Sequence, residues 1–288
     1  MRALSFNGLM RGLFSVVLLC FVMSGQAAEK GLLWKAEAPG GKVSYLFGTM
    51  HSDDPRVNDF SPALLKALSD SDAFMMETLP PSDPTVYFMK DHVISDLLTE
   101  TEMQQLMKLA DFHAMHTDVA MHMKPWLLAM VFDLPKPQSP FTQDVQLFAK
   151  AQEQSKQILG IEDTAEHFGM LDSFSQEDQL TMLRAVLKRS QEEKEKDFES
   201  LLNAYLTEDS AKIAGLDDKI TGGMLTKDLW ARMRVKLIDE RNVRMAERIA
   251  QQANESPVFI AIGASHLAGK GGLVERLRDA GFKLTVIQ

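Results

Sequence analysis

The sequence predicts an α/β fold with a mixed or parallel central sheet, built from two strand–Gly-x-x-His–helix–strand units, and a large helical insertion. Two similar motifs lie at opposite ends of the chain. A short apolar run leads into Gly48-Thr49-Met50-His51, and another leads into Gly263-Ala264-Ser265-His266. Between them, helical periodicity dominates residues 84–250. We therefore expect a single domain over residues 28–288, with these helices as an insertion or cap.

The first unit opens with a predicted hairpin, in which a turn signal separates two β-prone runs. A helix should follow, beginning where proline occupies a first-turn position, and then an apolar strand that ends at an acidic residue. These features are the runs Leu32–Ala36 and Val43–Phe47, the turn Pro39-Gly40-Gly41, the helix start Ser61-Pro62, and the strand Ala73–Met76 before Glu77.

The second unit has the same plan, with a strand over Val258–Ile262, a helix carrying Leu273 and Leu277, and a strand over Lys283–Ile287. The intervening region should be helical, apart from one strand. Its signals are a capping box at Thr99–Glu102, helix starts at Pro125 and Phe141, a strand over Gln157–Ile161 before Glu162, and long amphipathic helices over residues 176–250. The charged run Lys188–Glu199 is typical of a solvated helix face.

The N-terminal segment has the features of a cleavable secretion signal over residues 1–27. Arg2 and Arg11 precede or flank an apolar run, Leu13–Met23, which is followed by small residues. This run is well short of the ~20 residues that span a bilayer, so we expect no stable membrane anchor after cleavage. Cleavage would also remove Cys20, the only cysteine, and with it any disulfide or thiolate chemistry. We therefore predict a periplasmic or secreted protein.

The charge of the chain excludes one class of partner. The formal net charge is −9, and it would become −11 after the loss of Arg2 and Arg11 with the signal segment. Such a surface repels the phosphate backbone, so we expect no nucleic-acid partner. The predicted partner is a peptide or another small substrate. The sequence does not constrain the oligomeric state.

The two Gly-x-x-His motifs carry the most specific chemical signal. Each places a histidine just after a strand, at the carboxyl edge where α/β folds bind their ligands. We expect the glycine to let the chain turn sharply there. If the two units pack side by side, His51 and His266 share that edge, together with a carboxylate from Glu77 or Glu162. Two imidazoles and a carboxylate form an open, three-ligand hydrolytic metal site, suited to zinc, manganese, cobalt or iron.

The same residues resemble a known family. The segments Tyr45–His51, Leu159–Glu162, Arg241-Asn242-x-x-Met245-Ala246 and Ile262–Gly269 look like the motifs of the TraB/GumN family, which animal Tiki proteases share. The resemblance covers nearly all of the chain after the signal segment. It implies a metal-dependent peptidase on a distantly esterase-like α/β fold. Ser265 stands where many members have a second glycine.

The resemblance implies roles for five residues. His51, His266 and Glu77 match metal-ligand positions, and Glu77, Glu162 and Arg241 match catalytic positions. Which glutamate is the ligand and which is the general base stays open. Each acid also has a simpler interpretation: Glu77 as a loop-facing carboxylate and Glu162 as the start of a helix. Arg241 could form an interhelical ion pair instead of stabilising an oxyanion.

Other functions remain possible at this stage. Gly263-Ala264-Ser265 follows a strand as a nucleophile elbow does, but Leu267 replaces the required final glycine. No His-Glu-x-x-His motif occurs. The cluster His113–Met123 has soft ligands for Cu(I), although its methionines fit buried helix positions equally well. The main alternative is a non-catalytic binding protein for a peptide, haem or metal.

Overall fold

The structure is a computed structural model that describes residues 30–288, so the predicted signal segment lies outside the described residues. Within this range six strands form one sheet, in the order β4-β3-β5-β2-β1-β6. The strands are β1 (Leu33–Glu37), β2 (Val43–Thr49), β3 (Ala73–Thr78), β4 (Gln157–Glu162), β5 (Val258–Gly263) and β6 (Lys283–Val286).

The sheet is mixed, and the predicted α/β class is confirmed. β1 and β2 form the expected antiparallel hairpin, whose turn is helped by Gly41 in the left-handed region at φ +83°. β2, β5, β3 and β4 run parallel to one another, whereas β6 pairs antiparallel with β1 at the other edge. The four central parallel strands therefore place their carboxyl ends along one edge.

The two strand–helix–strand units interleave, so the side-by-side packing that we set as the condition for a shared edge does not occur. β5 lies between β2 and β3, and β6 lies beyond β1. The hairpin explains this order, because β1 already occupies one side of β2 and leaves only the other side for a parallel partner. The expected neighbourhood of the two motif strands is nevertheless present, with Thr49 level with Gly263.

The predicted helix starts are confirmed, except that the helix expected from Phe141 begins two residues later, at Gln143. Ser61 caps a helix with Pro62 in its first turn, Thr99 and Glu102 form a capping box, and Pro125 opens another helix. No helix within residues 30–288 is long and apolar enough to cross a membrane. The helices are α1 (Pro55–Asn58), α2 (Pro62–Ser69), α3 (Glu100–Phe112), α4 (Thr117–His122), α5 (Pro125–Asp133), α6 (Gln143–Glu153), α7 (Thr164–Asp172), α8 (Gln176–Leu187), α9 (Gln191–Tyr205), α10 (Ser210–Met224), α11 (Lys227–Arg234), α12 (Glu240–Glu255) and α13 (Leu273–Asp279).

The buried apolar side chains form two clusters. One surrounds the sheet, where Phe74 stacks on Phe259 from the neighbouring strand. The other joins α3, α5, α8 and α11 around Trp126 and Phe132. The helical region thus has an apolar core of its own beside the sheet.

The charged run at the start of α9 is not wholly a solvated face. Glu192, Glu193 and Lys196 are exposed, as expected, but Lys194 is fully buried and its ammonium donates a hydrogen bond to the Phe132 carbonyl at 2.9 Å. The prediction is wrong at this position, because one side of α9 packs over the end of α5. Burial lowers the pKa of Lys194 from its ordinary value.

His113 lies in the helical core beside this lysine. Its ring packs between Phe112 and Phe132, with centroid distances of 5.1 and 5.5 Å. Burial, with smaller contributions from the charges of Lys194 and Lys136, lowers the pKa of His113 to about 4. The folded protein therefore holds this imidazole neutral at pH values where the unfolded chain protonates it.

We predict that His113 makes the protein acid-sensitive. Because the unfolded chain binds this proton near pH 6.5 and the folded protein only near pH 4, stability is lost as the pH falls between these values. When the pH falls from 7 to 4.5, the free energy of unfolding should decrease by about 2 kcal/mol less in His113→Phe than in wild type, as measured by urea unfolding. The exposed His122→Phe variant is the control. Parallel stability profiles for wild type and His113→Phe would contradict the prediction.

Candidate functional site

The site forms at the carboxyl ends of the parallel strands. His51 follows β2, Glu77 is the penultimate residue of β3, Glu162 ends β4, and His266 follows β5. The register aligns these ends, since Thr49 pairs with Gly263 and Thr78 pairs with Glu162. The structure therefore brings the predicted site residues from both ends of the chain, and from its middle, to one sheet edge.

The two motif glycines are needed for space, which differs from our expectation of a sharp turn. Neither Gly48 nor Gly263 has a positive φ. A Cβ on Gly48 would lie 2.5 Å from the Leu267 side chain and 3.1 Å from the Ala264 backbone. A Cβ on Gly263 would lie 3.2 Å from a Glu77 carboxylate oxygen. The glycines let the turn after β5 approach β2 and β3 closely.

His51 is paired with an acid that the sequence analysis missed. Its Nδ1 lies 2.7 Å from Asp144 Oδ2, and the other oxygen of Asp144 accepts a hydrogen bond from the Thr49 hydroxyl at 2.5 Å. The Asp144 carboxylate raises the pKa of His51 to about 9. The His51 side chain is 64% exposed, whereas that of Asp144 is 9% exposed. Asp144 therefore orients the ring through Nδ1, and Nε2 is the ring nitrogen left for a ligand.

His266 is held in the opposite setting. It is buried, and its Nδ1 lies 2.7 Å from the side-chain oxygen of Asn242, which can only accept, so Nδ1 carries the proton. Its Nε2 accepts a hydrogen bond from Arg241 Nη1 at 3.2 Å. Burial, together with the nearby charge of Arg241, lowers the pKa of His266 to about 4. The ring is therefore a neutral imidazole with its lone pair on Nε2.

Arg241 is the centre of the site. Its guanidinium donates to Glu77 at 2.6 Å and to Glu162 at 2.8 Å, with side-chain exposures of 7% or less for Arg241 and Glu162. A single π-helical turn, Val235–Asp239, precedes it, and Arg241 also donates to the Leu237 carbonyl within that turn. Such turns are frequent at functional sites, because they re-aim side chains. Arg241 does not form the interhelical ion pair that we considered, because its partners Glu77 and Glu162 lie on strands.

The two glutamates are both ionised. Burial alone would raise the pKa of Glu77, but the charge of Arg241, with contributions from both histidines, holds it well below its ordinary value. Burial likewise opposes ionisation of Glu162, and hydrogen bonds from His167 and Arg241 lower its pKa to about 2. Glu77 also accepts a hydrogen bond from the Gly263 amide at 2.8 Å, which ties β3 to the turn after β5.

Three polar residues of the site were not assigned from the sequence: Asn242, His167 and Asp144. Only the first two could have been predicted from the sequence. Asn242 directly follows Arg241 and shares its motif, so it could have been included. His167, whose Nδ1 lies 2.9 Å from Glu162, is only five residues further along the chain. Asp144 left no signal, because it is 93 residues from His51 and resembles an ordinary acid in the first turn of a helix.

The comparison with known families agrees with this geometry. The sequence model of the TraB/PrgY/gumN family matches residues 32–286. The chain belongs to the TraB/PrgY/gumN family. No curated protein matches the chain significantly. The family match thus covers every strand of the sheet and all five residues for which the resemblance implied a role.

Two rival sites find little support in the structure. The first is the serine nucleophile. The Ser265 hydroxyl donates a hydrogen bond to Asp217 on α10 at 2.9 Å, so its partner is an acid and not the histidine base that a serine hydrolase requires. The second is the copper site, for which His113 and His122 were candidate ligands. His113 is buried among aromatic rings, whereas His122 is exposed and forms a hydrogen bond with the Asp118 carbonyl. These two histidines thus occupy different environments.

The ligand chemistry of the site fits a metal, although the geometry is not preformed. Both histidines engage an oxygen acceptor through Nδ1 and present Nε2, the arrangement that metal-binding histidines adopt. Glu77 adds a carboxylate. In residues 30–288, however, no three His, Cys, Asp or Glu side chains are arranged to hold an ion, and the Arg241 guanidinium occupies the His266 lone pair. A metal would have to replace that contact and compete with Arg241 and the Gly263 amide for the Glu77 oxygens.

We predict that Gly48→Ala disturbs the site while Gly40→Ala does not. An added methyl group at Gly48 meets both a side chain and the backbone of the turn before His266, whereas at Gly40 it meets nothing within 4 Å. Gly48→Ala should lower the free energy of unfolding by about 1–3 kcal/mol. Gly40→Ala should stay within about 0.5 kcal/mol of wild type. Equal unfolding midpoints in urea for both variants would refute the close-approach explanation.

We predict that Asp144→Asn lowers the pKa of His51 from about 9 toward its ordinary value, because the amide lacks the charge that stabilises the imidazolium. NMR titration of the histidine ring resonances measures this pKa. Asp118→Asn, which removes an exposed acid next to His122, should leave the His51 titration unchanged. If His51 titrates identically in wild type and Asp144→Asn, the Asp144 charge does not govern the ring.

Proposed function

We propose that the chain is a metal-dependent hydrolase that cleaves peptides outside the cytoplasm. The observation that carries this proposal is the convergence of two Nε2-presenting histidines, an ionised carboxylate and a buried arginine at one sheet edge. Family membership is consistent with it. The extracytoplasmic location rests on the signal-like pattern of residues 1–27 alone.

His51, His266 and Glu77 are the proposed ligands. A divalent transition metal, such as zinc, manganese, cobalt or iron, would supply Lewis-acid activation of water and of the scissile carbonyl. Asp144 and Glu77 raise the pKa of His51 to about 9, so a metal would have to displace the Nε2 proton, and the same negative charges would then stabilise the bound cation. Asp144 and Asn242 act as positioning residues, since each fixes a histidine through Nδ1.

The structure favours different roles for the two glutamates. Glu162 is a poor general base, because its pKa is about 2 and its oxygens are engaged by Arg241 and His167. We therefore assign Glu162 to the positioning of Arg241. The pKa of Glu77 is lowered as well, but its side chain is 14% exposed against 1% for Glu162, so Glu77 is the better candidate for contact with the metal or with the attacking water.

Arg241 is the proposed electrostatic stabiliser. Its guanidinium is anchored by Glu162, so it keeps its place if the contact with His266 is released. A fixed, buried cation stabilises negative charge that develops on a carbonyl oxygen, because it needs no reorganisation during the reaction. The same guanidinium could instead bind a substrate carboxylate in a bidentate manner.

The decisive experiment is metal analysis of the purified protein beside the His51→Ala, His266→Ala double variant. Wild type should retain about one equivalent of metal, and the double variant almost none, because two of three ligands are lost. Peptide hydrolysis should fall about a hundredfold or more with a strong chelator and return with a divalent metal. The control is His122→Ala, an exposed histidine that bonds to the Asp118 carbonyl.

Two outcomes would contradict the proposal. Hydrolysis that persists after exhaustive chelation would indicate a metal-free mechanism that uses the histidines, glutamates and arginine alone. Retained metal without hydrolysis of any peptide would identify the alternative function, a binding protein for a peptide, haem or metal. In that case the roles of Glu77 and Arg241 would be limited to binding.

A further inference from the structure

A groove with a volume of about 680 Å³ opens on the helical side of the molecule. Its walls are the segment 83–92 after β3, the start of α5, one face of α7 and the start of α8. The volume lies within the range of about 300–1,000 Å³ that is usual for small-ligand sites. None of the residues assigned so far to metal binding or catalysis lines it.

The groove adjoins the proposed active site through two shared elements. α7 begins two residues after Glu162; its His167 contacts Glu162, and the next two residues, Phe168 and Gly169, line the groove. On the other wall, the chain leaves Glu77 at the end of β3 and reaches the groove at Asp83. The groove and the proposed site are therefore linked through α7 and through the segment that follows β3.

The groove combines aromatic surface with polar groups of both signs. Phe168 is packed edge-on against Tyr87 at 5.2 Å and stacked on the buried Trp126 at 6.2 Å, which holds its ring in place. Around the aromatic rings lie amide, acidic and basic side chains: Asp83, Lys90, Asp91, His92, Gln176 and Gln179. Asp172 in the wall is already engaged by Lys124 and by the Trp126 indole.

From these features we infer that the groove is the substrate-recognition cleft, and that it binds a short peptide by a bulky apolar side chain placed against Phe88 and Phe168. This inference rests on the proposed peptidase function. A wall with both donors and acceptors matches a peptide backbone, whereas a uniformly charged ligand would require one sign of charge. An aromatic surface of this kind favours phenylalanine or leucine over alanine.

Gly169 provides a direct steric test. It is exposed on the groove face of α7, and an added Cβ meets nothing within 4 Å, so a large side chain there fills the groove without disturbing the fold. Gly215 on α10 is the matched control, because it is also an exposed helical glycine with nothing within 4 Å. The variants are Gly169→Trp and Gly215→Trp, with Gly169→Leu as a second blocking variant if the tryptophan impairs folding.

The probes are two acetylated tetrapeptide amides that differ only at the third position, phenylalanine or alanine. Binding to the full-length protein as purified is measured by calorimetry, and mass spectrometry of the same samples reports cleavage. Wild type and Gly215→Trp should bind the phenylalanine peptide at least about tenfold more tightly than the alanine peptide. Blocking the groove at Gly169 should weaken binding of the phenylalanine peptide by about tenfold or more.

The outcomes separate this inference from the proposed function. Equal binding of the two peptides by wild type, or equal binding by the Gly169 and Gly215 variants, would overturn the cleft assignment even if both peptides are cleaved. Groove-dependent binding of an uncleaved phenylalanine peptide would support the cleft assignment and argue against the peptidase function.

Discussion

The buried guanidinium of Arg241 is the interaction on which the rest of the site depends. A cation removed from water is costly unless it is paired, and here Glu77 and Glu162 provide the compensating charges. The same arginine donates to His266 and so sets the state of that ring as well. Breaking a buried pair of this kind typically costs about 3–5 kcal/mol, because an uncompensated charge stays behind. Stability and function are therefore coupled at this residue.

The ion network can form only because four strands are parallel. β3 and β4 carry the two carboxylates to one edge, and β5 ends beside them, so that the Gly263 amide donates to Glu77. An antiparallel neighbour would have presented its opposite end at this edge. α12 then crosses the strand ends and supplies both Arg241 and Asn242. Residues from distant parts of the sequence become one electrostatic unit in this way.

The two motif histidines are alike in sequence and different in the folded protein. His51 is largely exposed, and its acid partner raises its pKa, whereas His266 is buried beside a cation and its pKa is lowered. The side of the site at His51 is therefore open to solvent. The proposed recognition groove is lined by residues of α7, the helix that carries the Glu162 partner His167. The two histidines therefore differ in exposure and in pKa, although the motif around them is the same.

The sequence by itself determined the α/β class, the hairpin, most helix starts and the strands that precede His51, Glu77, Glu162 and His266. These features follow from local periodicity, capping and turn residues, which act over a few neighbours. The tertiary structure alone decided that the two units interleave, that Asp144 pairs with His51, and that Lys194 is buried within a charged run. It also showed that the motif glycines are required for close packing and not for a left-handed turn. Such features depend on contacts between residues far apart in the chain, and no local pattern encodes those contacts.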